Sequence, residues 1–200
     1  MRNGCPHNPF SVHRLGPENI AYRFSEDDCL ERLVSVVAAA GWCAELVGPH
    51  GAGKSTLLHT LAGAARARSS RVRMWRCAEG RPALPVLWRW RLHAADLCFL
   101  DSAERAPSRS LAALMRHCQR RGVGLVFTAH HPKGWGLHVA VEATPGQFLS
   151  VVRSVAVGEA APDAAALERL LADHAGNARE ALFALYDGFE SRGALTASPR

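Results

Sequence analysis

At 200 residues, with 24 Lys+Arg against 18 Asp+Glu and a formal charge of +6, the chain is long enough for one domain with a small appendage. Its 48% hydrophobic and 21% charged residues exclude a wholly disordered chain, and 17 Gly with 11 Pro in no repeat exclude collagen and low-complexity classes. All the cations except Lys54 and Lys133 are arginine, a balance compatible with nucleic acid, a membrane surface or a nucleotide and selective for none.

The opening Met-Arg-Asn-Gly-Cys-Pro-His-Asn-Pro lacks the apolar core of a secretory signal. Residues 1–18, rich in Pro, Gly and His, read as an irregular lead-in, and Asn19–Phe24 as a short strand with Ile20, Tyr22 and Phe24 alternating. Glu26–Ala40 has Leu30, Leu33, Val34 and Val37 on one helical face, and Gly41 stops it. Trp42–Val47 fits a buried parallel strand. Together, Leu33–Val47 make an apolar stretch of about 15 residues that is too short and polar to span a bilayer. The expected setting is the cytoplasm, with the six dispersed cysteines reduced.

Further along, Lys54–Arg66 is predicted as a helix, Arg71–Cys77 as a second strand and Leu97–Asp101 as a third. Leu111–Arg121 follows as a helix, Gly122–Thr128 as a fourth strand and Leu137–Val141 as a fifth. Helical patterns then cover roughly 146–157, 162–174 and 177–190, the last carrying Leu182, Leu185, Tyr186 and Phe189 at helical spacing. Alternating strands and helices imply an α/β three-layer sandwich around a mostly parallel sheet, with a small helical C-terminal extension. The implied division is a lead-in and helix (1–40), a core (41–145), a lid-like helical extension (146–193) and a disordered tail (194–200).

Gly48-Pro49-His50-Gly51-Ala52-Gly53-Lys54-Ser55 satisfies G-x-x-x-x-G-K-[ST], with Thr56 next, between an apolar strand and a helix. Glycines let backbone N–H groups turn inward around phosphates, and the helix that follows adds its positive end. One of only two lysines falls where the motif needs it; Lys54 would reach the β- and γ-phosphates and the Ser55 hydroxyl would ligate Mg²⁺. On these residues the chain resembles P-loop NTPases over about residues 41–130. Four apolar residues ending in Asp101 resemble the second acidic strand of that family, whose carboxylate holds the metal opposite Ser55.

The comparison narrows to the ASCE division, which includes AAA+ and ABC ATPases. There a glutamate commonly follows the metal-binding aspartate; here Ser102 stands in that place. Glu104, three residues beyond Asp101, and Glu79, after the second strand, are the two candidates for orienting water. If neither serves, the protein binds nucleotide and hydrolyses it poorly. The run Gly124–His130 is similar to the strand that senses the γ-phosphate, through His130 on an ABC-like reading or Thr128 on an AAA+-like one, with His131 a neighbouring alternative. Gly176-Asn177-Ala178-Arg179-Glu180 resembles the start of an AAA+ lid helix, in which Arg179 would sense nucleotide.

The family resemblance implies ATP and Mg²⁺ as cofactors and an ATPase that moves a lid or partner. The competing readings are a nucleotide-gated adaptor with little hydrolysis and a small-molecule kinase. A protein partner or a homo-oligomer fits either. Arg66, Arg68, Arg71, Arg73 and Arg76, with Trp88-Arg89-Trp90-Arg91, are compatible with nucleic acid, but since arginine is the default cation of this chain a solvated face with two tryptophans packed under a loop is the favoured reading.

Overall fold

The computed structural model describes residues 8–11, 13–25, 28–68, 71–81, 92–156 and 162–196. Trp88–Arg91 lie outside these. Helix α1 (Leu30–Ala39) buries Val34 and Val37 from the predicted stripe. It begins later than Glu26 because Cys29 is still extended, at φ −141° and ψ 159°. At its far end Gly41 adopts φ 65°, and the Gly41 and Trp42 amides donate back to Ala38 and Val37. Such a left-handed glycine cap satisfies the last carbonyls and swings the chain into the sheet.

Strand β1 (Cys43–Val47) leads through the glycine-rich loop into α2 (Lys54–Ala67). Next come β2 (Arg71–Arg76), β3 (Asp96–Asp101), a single 3-10 turn (Ala103–Arg105), α3 (Ser108–Arg121), β4 (Gly124–Ala129) and β5 (Leu137–Ala140). Every pairing is parallel, in the order β2-β3-β4-β1-β5. All six residues of β3 and of β4 are buried, as expected for inner strands covered on both faces.

One face of the sheet packs Leu58, Leu61 and Ala62 of α2 and Val34 and Val37 of α1 on Leu46, Phe99 and Val126. Leu111, Leu114 and Cys118 of α3 cover the other face, against Leu100, Leu125 and Phe127. This is the three-layer α/β arrangement expected. Burial pushes the Cys77 and Cys98 thiols up to about 12, so both are inert neutral thiols at pH 7.

Helices α4 (Pro145–Val155), α5 (Ala164–Asp173) and α6 (Ala178–Thr196) build a separate small core from Phe148, Val152, Leu167, Leu171 and Ala181. Phe10 of the lead-in is part of it, anchored where Asn8 Nδ2 donates to Tyr186 O (3.1 Å) and Glu190 Oε1 (2.8 Å). Helix α6 runs through Thr196, and 197–200 lie outside the described residues.

The segment Asn19–Phe24 is not the strand its alternation predicted. Residues 21–25 form no strand and lie outside the sheet, and the Tyr22 amide donates to Thr60 Oγ1 of α2 (3.3 Å). Tyr22 and Phe24 still pack together edge-on, with ring centroids 5.0 Å apart, against the α1/α2 core. Alternation reports that one face is buried; here the burying surface is a helix.

Candidate nucleotide site

Parallel strands bring their C-terminal ends to one edge of a sheet, and ligand clefts form there. In this chain the edge collects the loop after β1, Asp101 at the end of β3 and Thr128–His130 at the end of β4. Register fixes their neighbourhood, with Val47 beside Ala129 and Arg76 beside Asp101. The loop after β4 is tied down from below by Glu45, a buried β1 carboxylate whose Oε2 accepts the Lys133 amide at 2.7 Å.

The glycines of the Gly48–Ser55 loop are required by what surrounds them. A β-carbon on Gly48 would strike the Val141 carbonyl, and one on Gly53 (φ 90°) would lie 3.3 Å from the Tyr22 ring. Gly51 (φ 72°) is crossed by the start of α6: a β-carbon there would collide with Asn177 Oδ1 and sit 3.2 Å from the Arg179 amide. Asn177 Oδ1 also accepts the Glu180 amide at 3.2 Å, so it caps α6 while resting on the loop. Two helix N-termini, of α2 and α6, therefore flank the loop.

Lys54 is buried, and its Nζ donates to Gly48 O at 2.7 Å and Pro49 O at 2.6 Å. Burial lowers its pKa, opposed by the charges of Glu104 and Asp101. Ser55 Oγ donates to Asp101 Oδ1 at 2.7 Å, joining residues 46 positions apart. The same oxygen accepts Thr128 Oγ1 at 3.0 Å, and Thr128 Oγ1 in turn accepts the Ser102 amide at 2.7 Å. Thr128 is thus buried beneath Asp101, orienting the carboxylate. Thr56 follows Lys54 and Ser55 in the first turn of α2, where backbone N–H groups have no partners within the helix.

Ser102 takes a left-handed conformation (φ 58°, ψ 48°), which turns the chain sharply after Asp101. The 3-10 turn that follows carries Glu104 back toward the loop. Glu104 Oε1 lies 3.5 Å from His130 Nε2, while Glu104 Oε2 is buried without a hydrogen-bond partner. His130 packs against the loop residue His50, with ring centroids 3.9 Å apart and the rings tilted by 58°. His131 is exposed, as is Glu79 in the turn after β2. Arg179 is on the first turn of α6 with its guanidinium 5.6 Å from the Phe183 ring. The structure therefore brings Glu104, His130, Lys54, Ser55, Asp101 and Thr128 together and leaves Glu79 at the surface.

Contacts not anticipated from sequence include the tilted His50–His130 ring pair, the seat of Asn177 on Gly51, and Arg76, whose Nε lies 3.0 Å from Asp101 Oδ2.

His130 is held below its ordinary pKa of 6.5, first by burial, with Lys54, His50 and His131 acting in the same direction and Glu104 against it. Burial depresses His59 likewise. Below pH 6.5 the unfolded chain therefore takes up protons that the folded chain resists, so stability is full above 6.5 and falls as pH drops. His130→Gln is expected to flatten that decline, read as melting temperature between pH 7.5 and 5. A wild-type profile flat through this range, or one unchanged by the substitution, contradicts this assignment.

No family model matches the sequence, and no curated protein is significantly similar to it. Solved structures are similar in fold. Domain III of the replication initiation protein DnaA from Thermotoga maritima superposes with TM-score 0.62 at 12% identity, over 94% of this chain and 92% of that one. The replication initiator DnaA bound to AMPPCP and single-stranded DNA gives 0.57 at 13%, over 88% and 67%. The Thermotoga maritima RuvB Holliday junction branch migration motor gives 0.56 at 17%, over 78% and 59%, so this chain spans less than two thirds of RuvB's length. With β4 between β1 and β3, the loop after β1 and the acidic end of β3, this is the fold of an ASCE-type P-loop NTPase.

Proposed function

We propose that this protein binds Mg·ATP between the Gly48–Thr56 loop and the C-terminal helices and hydrolyses it, using nucleotide state to move residues 146–193 relative to the core of 41–145. The observation that carries this reading is the 2.7 Å contact between Ser55 Oγ and Asp101 Oδ1. It places a hydroxyl and a carboxylate, two hard oxygen donors, beside a lysine at the mouth of a glycine-lined loop, a donor set suited to Mg²⁺.

Bound Mg²⁺ would neutralise phosphate charge, held by Ser55 and Asp101. The other roles belong to the chain's own groups. Lys54 exchanges its two loop carbonyls for phosphate oxygens, which make stronger, charge-assisted partners. First-turn amides of α2 cradle the phosphates, and Thr128 fixes Asp101. Glu104, with one oxygen unpartnered in the cleft, orients water and accepts its proton. His130 and Arg179 respond to the terminal phosphate, the second through the seat of α6 on Gly51.

No described helix is long and apolar enough to cross a membrane. We place the protein in the cytoplasm, acting on a protein partner or a second copy of itself. DNA, which the name of the DnaA complex mentions, is the macromolecule to test first. Ser102 in the place of a glutamate supports a second reading, a nucleotide-gated adaptor.

Calorimetric titration with Mg·ATP and Mg·GTP, paired with phosphate release with and without DNA, separates these readings. Binding with release above a no-protein control is the expected result. Binding without release selects the adaptor. Absence of nucleotide binding removes both.

A further inference from the structure

Arg76 and Asp101 are cross-strand partners at the last register position of β2 and β3. At the other end of the same strands Arg71 pairs with Asp96, which also accepts the His93 amide. Both pairs oppose unlike charges across neighbouring strands and so help to fix register. They differ in what else the carboxylate does. Asp96 lies at the opposite end of β3 from the loop, whereas Asp101 is the acid that meets Ser55 and Thr128.

Arg76 takes the Asp101 oxygen that these hydroxyls leave free, Oδ2, at 3.0 Å. The Asp101 side chain is 4% exposed and that of Arg76 is 65% exposed. The guanidinium therefore reaches the carboxylate from solvent and can withdraw with little loss of packing. Leaving a buried carboxylate unpaired is costly, so a retractable cation is a physical solution for a site that must exist both with and without its metal.

We infer that Arg76 is a tethered competitor for the metal: it holds Asp101 Oδ2 in the metal-free protein, and Mg²⁺ binds with its nucleotide by displacing it. This rests on the reading above that Asp101 is the metal-binding acid. Because only the fraction of molecules with Arg76 withdrawn accepts the ion, apparent metal affinity is lowered by that fraction. Ion pairs with one exposed partner are modest, so the penalty is about three- to tenfold.

The test is a Mg²⁺ titration of the binding of N-methylanthraniloyl-ATP, followed by fluorescence, in the full chain. Wild type is compared with Arg76→Ala, Arg76→Lys and Lys54→Met, and thermal unfolding of each checks the fold. The expected result is a half-saturating Mg²⁺ concentration about three- to tenfold lower in Arg76→Ala. Arg76→Lys, which keeps a cation, stays near wild type, and affinity in excess EDTA is the same for wild type and both Arg76 variants.

An arginine that only sets register would lower the melting temperature of Arg76→Ala without moving the Mg²⁺ midpoint. That outcome overturns the inference while leaving the nucleotide site intact. Should Arg76→Ala not fold, Arg76→Gln replaces it under the same criterion. If nucleotide binding ignores Mg²⁺ in every variant, the reading of Asp101 as metal ligand fails and the inference fails with it. Should Lys54→Met bind as wild type does, the error lies in the phosphate loop itself.

Discussion

Lys54→Ala is expected to weaken Mg·ATP binding by about 100-fold or more while leaving the protein folded. Hydrogen bonds to charged partners contribute about 1.5–3 kcal/mol each. Lys54 makes two hydrogen bonds, to Gly48 O and Pro49 O, and bound nucleotide would replace those neutral acceptors with anionic ones. The net gain of that exchange corresponds to about two powers of ten at roughly 1.4 kcal/mol per decade.

Stability should respond differently. Burial pushes the Lys54 ammonium below its ordinary pKa, so the folded chain bears a desolvation cost that alanine removes. Loss of two bonds to loop carbonyls works the other way, and the melting temperature is expected to move by only a few degrees. Lys54→Met, which keeps the aliphatic stem, should show the same loss of binding. Calorimetry and thermal unfolding on the same samples check both halves. Wild-type affinity in either variant would remove Lys54 from the site.

The parts of this site that could be read from sequence are those built from contiguous residues. A phosphate loop works through neighbouring backbone amides and the helix that follows, so Gly48–Ser55 announces itself in one unbroken run. Asp101 was legible because four apolar residues before an acid describe a buried strand emerging at an edge. Strand order is a different kind of information. That β4 lies between β1 and β3 depends on crossovers, and local periodicity does not encode it. The seat of Asn177 on Gly51 joins residues far apart in the chain, and no pattern around either one anticipates it. Arg76 lies between these cases. Arg71 and Arg76 have the same spacing as Asp96 and Asp101, and that match signals register once the two strands are known to be neighbours. Asn19–Phe24 shows the limit from the other side: Ile20, Tyr22 and Phe24 alternate as a strand would, yet Tyr22 turns its amide to Thr60 on α2.

Glu104→Gln is expected to cut phosphate release by about 10²–10⁴-fold with Mg·ATP affinity close to wild type, the range associated with a positioned general base. Three observations favour Glu104 over its rival. The left-handed turn at Ser102 returns it toward the loop, its Oε2 is buried and unpartnered, and it lies beside His130 and Lys54. Glu79 is exposed in the turn after β2 and serves as the control; Glu79→Gln should leave binding and release unchanged. Glutamine preserves the shape of Glu104 but removes the charge that raises the His130 pKa, so His130 should titrate at lower pH still in that variant. Following the His130 imidazole by NMR therefore verifies that the substitution acts at the intended place even where turnover is too slow to measure. Phosphate release unchanged in Glu104→Gln but lost in Glu79→Gln would transfer the role to the β2 turn. Loss in neither would mean that water is oriented by backbone and hydroxyl groups alone, and that the turn at Ser102 brings Glu104 back to hold His130 against the phosphate loop.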